Sequence, residues 1–289
     1  MTDSILVTGA NGNIGSLLIP ALCANPDLQV RALVRDLSKG AMFTGSGAEV
    51  MAGDFADLES LKRASNGIDT VVLIAPPGPD CVAQNRAVID AALATGVRKI
   101  VRISAIKADE NGRTENTRLH GHCDRQLQES GLNWVILRPN YYMQNIFMSI
   151  DSIISDDAFY SGMGDGRLAM VDVRDVAAAT AVVSSADEFD NRIVDLSGPA
   201  SISFADMANI LSELLGRPVN CISVTPEALK QALLQLGFDE WMADLLREYS
   251  EAYGEGWGDL VTDGVLKVTG QAPCSFRKFA EEVFVPALP

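Results

Sequence analysis

The segment Val7-Thr8-Gly9-Ala10-Asn11-Gly12-Asn13-Ile14-Gly15 constrains this chain more than any other, because three evenly spaced glycines separate an apolar run from an apolar helical pattern. The first glycine permits a tight turn, the second lets a ligand approach the backbone, and the third lets a helix pack close to the preceding strand. A helix starting there offers free N–H groups and the positive end of its dipole to whatever lies above the turn. That arrangement suits the pyrophosphate of a dinucleotide. Thr8, Gly9, Asn11, Gly12, Asn13, Ile14 and Gly15 are therefore expected to form its cradle.

The pattern continues behind the turn. Apolar runs at Ile5–Thr8, Gln29–Val34, Glu49–Ala52, Thr70–Ala75, Lys99–Ser104 and Trp134–Arg138 read as strands. Helical patterns at Ile14–Ala24, Leu58–Ser65, Val82–Ala94 and Asn116–Ser130 lie between them. Runs such as Val71-Val72-Leu73-Ile74 do not alternate with polar residues, so both faces of the sheet should be covered, as in a parallel sheet. The expected fold is α/β, a Rossmann-type doubly wound parallel sheet with a smaller, mainly helical C-terminal substrate subdomain. The rhythm changes after Pro139. Residues 1–140 read as the dinucleotide-binding domain, and residues 141–289 as a smaller substrate-binding or lid subdomain with crossovers back into the sheet. In that second part Arg192–Leu196 should extend the sheet, Phe204–Leu215 and Pro226–Tyr253 should be helical, and a strand is expected near Cys221–Val224. Asp175 is expected to cap the Ala-rich helix that follows it.

The end of the second strand selects the nucleotide. An acidic residue there would hold the ribose hydroxyl of NAD, but this chain has Arg35, with Lys39 nearby. A guanidinium pairs with a 2′-phosphate, so NADP is the expected cofactor. Asp54 and Phe55 end the third strand and are expected to flank the adenine. Ala75 and Pro76 end the fourth strand and Ser104 the fifth, at the carboxyl edge where ligands sit in open α/β sheets.

Composition narrows the partners. The formal charge is −15 with no block of Lys or Arg, which argues against nucleic acid. The longest apolar runs fall far short of the roughly 20 residues a membrane-spanning helix needs. No signal peptide precedes the first strand, so the cytoplasm is the expected compartment. Five scattered cysteines without CxxC spacing read as reduced thiols. The two histidines, His120 and His122, project to different sides of a helix and have no ligand cluster around them, so no metal is expected. The sequence leaves a homodimer open.

Taken together, Thr8-to-Gly15, Val34-Arg35-Asp36, Gly53-Asp54, Ser130-Gly131-Leu132 followed by Leu137-Arg138-Pro139, and Val171-to-Ala177 resemble the NmrA-like members of the atypical short-chain dehydrogenase/reductases. The likeness runs into the tail, through Val261-Thr262-Asp263-Gly264, Thr269-Gly270 and Ser275-Phe276. That group includes NADPH-dependent quinone oxidoreductases and triphenylmethane reductases. The resemblance implies NADP binding and a substrate cleft whose nicotinamide end is lined by the segment after Pro139. It also exposes a departure: no tyrosine here is followed four residues later by the lysine that typical short-chain dehydrogenases use. The corresponding helix carries His120 and Asp124, similar to the His-x-x-x-Glu of the quinone-reductase relatives, and residues four apart share a helix face. His120 and Asp124 are thus the expected acid/base pair. Tyr141 is expected to join them from an aromatic wall formed with Asn140, Tyr142, Met143 and Asn145, suited to a flat, conjugated small molecule. The function expected is an NADPH-dependent reductase that passes hydride to a quinone, imine, enone or dye-like acceptor. The alternative is a non-catalytic NADP(H)-binding redox sensor acting on a protein partner.

Overall fold

A computed structural model of the chain describes residues 3–289. The elements run β1 (Asp3–Val7), α1 (Gly15–Cys23), β2 (Leu28–Val34), β3 (Glu49–Ala52), α2 (Leu58–Ser65), β4 (Thr70–Leu73), α3 (Cys81–Thr95), β5 (Lys99–Ile103), α4 (Glu115–Gln128) and β6 (Asn133–Pro139). They continue with α5 (Ile150–Ser155), β7 (Ala158–Ser161), β8 (Arg167–Leu168), α6 (Val173–Ser185), β9 (Arg192–Leu196), β10 (Ile202–Ser203), α7 (Phe204–Leu215) and β11 (Asn220–Ser223). The last helices are α8 (Pro226–Gln235), α9 (Glu240–Gly254), α10 (Gly264–Thr269) and α11 (Phe276–Phe279).

Seven strands form one sheet in the order β3-β2-β1-β4-β5-β6-β9. Every pairing from β3 to β6 is parallel, with Val7 opposite Val72 and Val72 opposite Val101. All residues of β4 and β5 are buried, which is what their unbroken apolar runs imply for a sheet covered on both faces. Because β1, β4 and β5 run in the same direction, the glycine turn after β1 and the loops after β4 and β5 share the carboxyl edge of the sheet.

The chain divides into two compact units, interleaved along the sequence. One takes in the chain up to Gly112, then Thr117–Arg138 and Arg174–Val194. The other takes in Arg113–Asn116, Pro139–Val173 and Asp195–Pro289. The first has a core of Leu6, Leu33, Leu61, Leu73, Ile89, Ile100 and Ile136. The second has its own, built on Phe159, Phe204, Phe279, Phe284 and Leu211. Helix α7 in that unit begins with a reciprocal Ser203–Asp206 capping box and ends on Gly216 in the left-handed region.

The structure revises three expectations. Strand β4 stops at Leu73, so Ala75 and Pro76 lie in a loop; the next amide, Ile74 N, donates to the Thr8 hydroxyl at 2.9 Å and not to a neighbouring strand. The helical stretch expected over 226–253 is two helices. Gly237 at φ +88° breaks it, and the Asp239 side chain restarts it by accepting from Met242 N at 2.8 Å. Asp175 lies inside the first turn of α6, which starts two residues earlier at Val173, so it is not the residue that precedes the helix. A carboxylate in that turn still complements the helix dipole. Among the described residues no helix is long and apolar enough to cross a membrane.

Candidate functional site

The glycine turn is a rigid object whose three glycines have different reasons to be there. Gly9 has φ +59°, and a Cβ on it would lie 2.6 Å from the carbonyl of Ile74. A Cβ on Gly15 would lie 2.5 Å from the carbonyls of Gly9 and Ala10. Both glycines are demanded by the fold itself. Gly12 differs: its Cβ would meet only the Gly9 carbonyl, at 3.3 Å, so packing within the chain does not forbid a side chain there. What a side chain would take from Gly12 is the open space above the turn.

Gly12 N donates to Gly9 O and Ser16 N to Gly12 O, both at 3.0 Å. Among the described residues the amides of Asn13, Ile14 and Gly15 have no acceptor. They are the unsatisfied donors of a helix start, available to an anion. Asn11, Gly12 and Asn13 are exposed, whereas Ile14 is buried and anchors the turn. Thr8 turns inward. Its hydroxyl donates to Ile74 O at 3.0 Å and accepts from Ile74 N at 2.9 Å, stitching the end of β1 to the end of β4.

Arg35, one residue beyond β2, is exposed and has no ion pair among the described residues. Its neighbour Asp36 does not neutralise it. The Asp36 carboxylate accepts from Ser38 N at 2.9 Å, and that bond holds its pKa below the ordinary carboxylate value. Lys39 is exposed close by. Asp54 accepts from Ala56 N at 2.9 Å and shapes the loop after β3, while Phe55 is half-buried against the core of this unit. Ala75 is half-buried and Pro76 exposed.

Beneath the carboxyl edge lies a buried polar network that the sequence reading did not assemble. Arg102, the penultimate residue of β5, is 3% exposed. Its guanidinium donates from Nε to Asn85 Oδ1 at 3.0 Å, from Nη1 to Asp124 Oδ1, and from Nη2 to His120 Nδ1 at 3.0 Å. Asp124, 2% exposed, also accepts from Ser104 Oγ at 2.9 Å and from Arg138 Nε and Nη2 at 3.0 and 2.9 Å. The expected His120–Asp124 pair is therefore joined through Arg102 instead of directly. With both of its oxygens committed, Asp124 anchors two arginines. Ser104 likewise spends its hydroxyl on Asp124. Burial, then the Arg102 and Arg138 charges, push the pKa of His120 well below its ordinary value.

In the second unit Tyr141 packs edge-to-face on Phe204 and Tyr253, with ring centroids 6.3 and 5.6 Å away. Tyr253 in turn meets Tyr249 and Trp257 at 5.5 and 5.4 Å. Burial pushes the Tyr141 hydroxyl up to about 12 and Tyr142 higher still, so both stay protonated at neutral pH. Asn140 is buried and ties the start of this segment down, donating to Gly258 O at 3.0 Å and accepting from Tyr141 N at 2.8 Å. Met143 is buried in the core and Asn145 half-buried.

Comparison with known proteins fits this geometry. A family model described as NAD(P)H-binding matches residues 9–183, more than half of the chain. The NAD(P)H azoreductase of Xenophilus azovorans is 34% identical over 277 residues, covering 96% of each chain. Among solved structures, the NADPH-dependent quinone oxidoreductase of Escherichia coli complexed with NADPH superposes with a TM-score of 0.89 at 26% identity, covering 97% of this chain and 99% of its own. The triphenylmethane reductase of Citrobacter complexed with NADP(H) gives 0.85 at 25% identity, covering 96% and 99%.

Proposed function

Because the chain belongs to the NAD(P)H-binding family as an NmrA-like, atypical short-chain dehydrogenase/reductase, and is an oxidoreductase, we propose that it is an NADPH-dependent reductase of conjugated small-molecule acceptors: quinones, imines, enones or dyes. The observation that carries the cofactor choice is the exposed guanidinium of Arg35, without an ion pair among the described residues, where an NAD enzyme would place a carboxylate. The open face of Gly12 and the free amides of Asn13, Ile14 and Gly15 fit the pyrophosphate. In this reading Asp54 and Phe55 border the adenine, and Ala75, Pro76 and the Ser104 backbone border the ribose and nicotinamide.

When bound, NADPH supplies a hydride. The residues of this chain have a modest task beyond that, since conjugated acceptors need stacking and orientation above all, and holding two reactants in place can remove several kcal/mol from a barrier. No side chain needs to be a strong acid, because water can complete the protonation. This is how a reductase dispenses with the tyrosine–lysine pair. The azo, quinone and dye substrates named for the relatives all belong to this conjugated class.

The test is a panel assay with purified protein. NADPH absorbance should fall steadily with at least one quinone, azo dye, imine or triarylmethane dye, and faster than with NADH. If every acceptor leaves NADPH unoxidised while the protein still binds it, the reductase reading fails and the redox-sensor alternative takes its place.

A further inference from the structure

We propose that His120 serves the acceptor as a permanently neutral Nε2–H hydrogen-bond donor, with its tautomer fixed by Arg102 as a positioning residue, and does not act as an acid or a base. This rests on the reductase reading for its role, but the state of the imidazole is independent of it.

The argument starts from donors and acceptors. A guanidinium has five N–H donors and no acceptor, and it keeps its proton in proteins. Arg102 Nη2 lies 3.0 Å from His120 Nδ1, so Nδ1 must accept. A histidine that accepts at Nδ1 is neutral and carries its single proton on Nε2. Protonating Nδ1 would set two donors against each other, next to the positive charge of Arg102. The charged groups around the ring point the same way. Arg102 comes from β5, Arg138 from β6, and Asp124 from the same helix as His120, α4. Asp124 is occupied by both arginines, so the neutral-histidine cluster carries one net positive charge and discourages a second.

The other edge of the ring is free. His120 is only half-buried, and its Nε2 has no partner among the described residues. The ring is bound to the penultimate residue of β5, at the carboxyl edge that also holds the glycine turn. That is the edge at which open α/β sheets receive ligands. Hydride addition to a quinone leaves the negative charge on oxygen until water supplies the proton, giving the hydroquinone. A fixed N–H beside a net positive cluster is a preorganised partner for that oxygen.

Nitrogen-15 histidine labelling tests the state directly, since the chain has two histidines and His122→Gln leaves a single imidazole to observe. Long-range proton–nitrogen correlation should show the Nε2–H tautomer, unchanged from about pH 8 to 5.5, where an ordinary histidine would titrate. Arg102→Lys should release the ring, giving a tautomer mixture that titrates. A wild-type ring protonated on Nδ1, or one that titrates near pH 6.5, would overturn the proposal without any unfolding variant being needed. In turnover, His120→Ala should lower kcat for a quinone by about 10²-fold with NADPH binding retained, and His120→Gln, which restores an N–H, should recover part of it. Wild-type kcat should stay level across the same pH range; a rate falling as a group near pH 6.5 loses its proton would mean that His120 is an acid after all. Absence of turnover with any acceptor would sink the reductase reading while leaving the tautomer result to stand on its own.

Discussion

The proposed choice of nucleotide and the stability of the first unit each rest on a single side chain. Arg35 has nothing to do for the fold, so replacing it should leave stability alone and change the cofactor. Charge-assisted hydrogen bonds contribute about 1.5–3 kcal/mol, so Arg35→Ser should weaken NADPH binding by roughly 10- to 150-fold and leave NADH binding nearly unchanged, as titration calorimetry would read. Asp124 is the opposite case. It is buried between Arg102 and Arg138, and removing its charge strands two guanidinium groups. Asp124→Asn should cost about 3–5 kcal/mol of unfolding free energy in urea titrations, far more than a change at a surface carboxylate. Arg35 was legible in the sequence because its position relative to the glycine turn has a meaning of its own. Arg102 was not. Lys99-Ile-Val-Arg-Ile103 carries two basic residues, and the signal available was that Arg102, like Lys99, lies in a strand buried throughout, which implies buried counter-charges elsewhere.

At the level of elements, the sequence was most readable where hydrophobic runs were long and the connecting glycines had a steric duty. Strands β2, β3, β5 and β6 lie within a residue of where the apolar runs placed them, because a buried parallel strand leaves an unbroken apolar signature. The two-residue strands β8 and β10 and the short β7 were not foreseen, since so few residues carry no period. The α8–α9 break was hidden because apolar residues continue through Leu236 and Phe238, and only the left-handed Gly237 and the capping Asp239 mark it. The glycine turn supplies a prediction of its own. Gly15→Ala forces a Cβ against two carbonyls and should perturb the β1–α1 junction, lowering Tm. Gly12→Ala meets a single oxygen at 3.3 Å, so it should keep the fold while weakening NADPH binding. Equal losses of stability in the two variants would show that Gly12 is kept for packing and not for a ligand.

Stability against pH belongs to the whole molecule, because unfolding releases every perturbed group at once. Asp69, Asp206 and Asp244 are held low by their hydrogen bonds and neighbouring cations, so what they contribute is present above about pH 4 and is lost as pH falls through their folded values. They leave the range from neutrality to pH 5 untouched. His120 acts in that range. Its folded pKa is depressed, so below about pH 6.5 the unfolded chain takes up a proton that the folded chain refuses, and stability must fall as the solution is acidified. One proton of difference corresponds to a slope of about 1.4 kcal/mol per pH unit, continuing down to the depressed folded value. His120→Gln removes that difference while His122 and the formal charge of −15 remain in both proteins. Urea unfolding at a series of pH values from about 7.5 to 5 should therefore show wild type losing stability towards acid more steeply than the variant. Parallel profiles would mean that His120 takes up its proton as readily in the folded protein as in the unfolded chain, and that Arg102 does not keep the imidazole neutral.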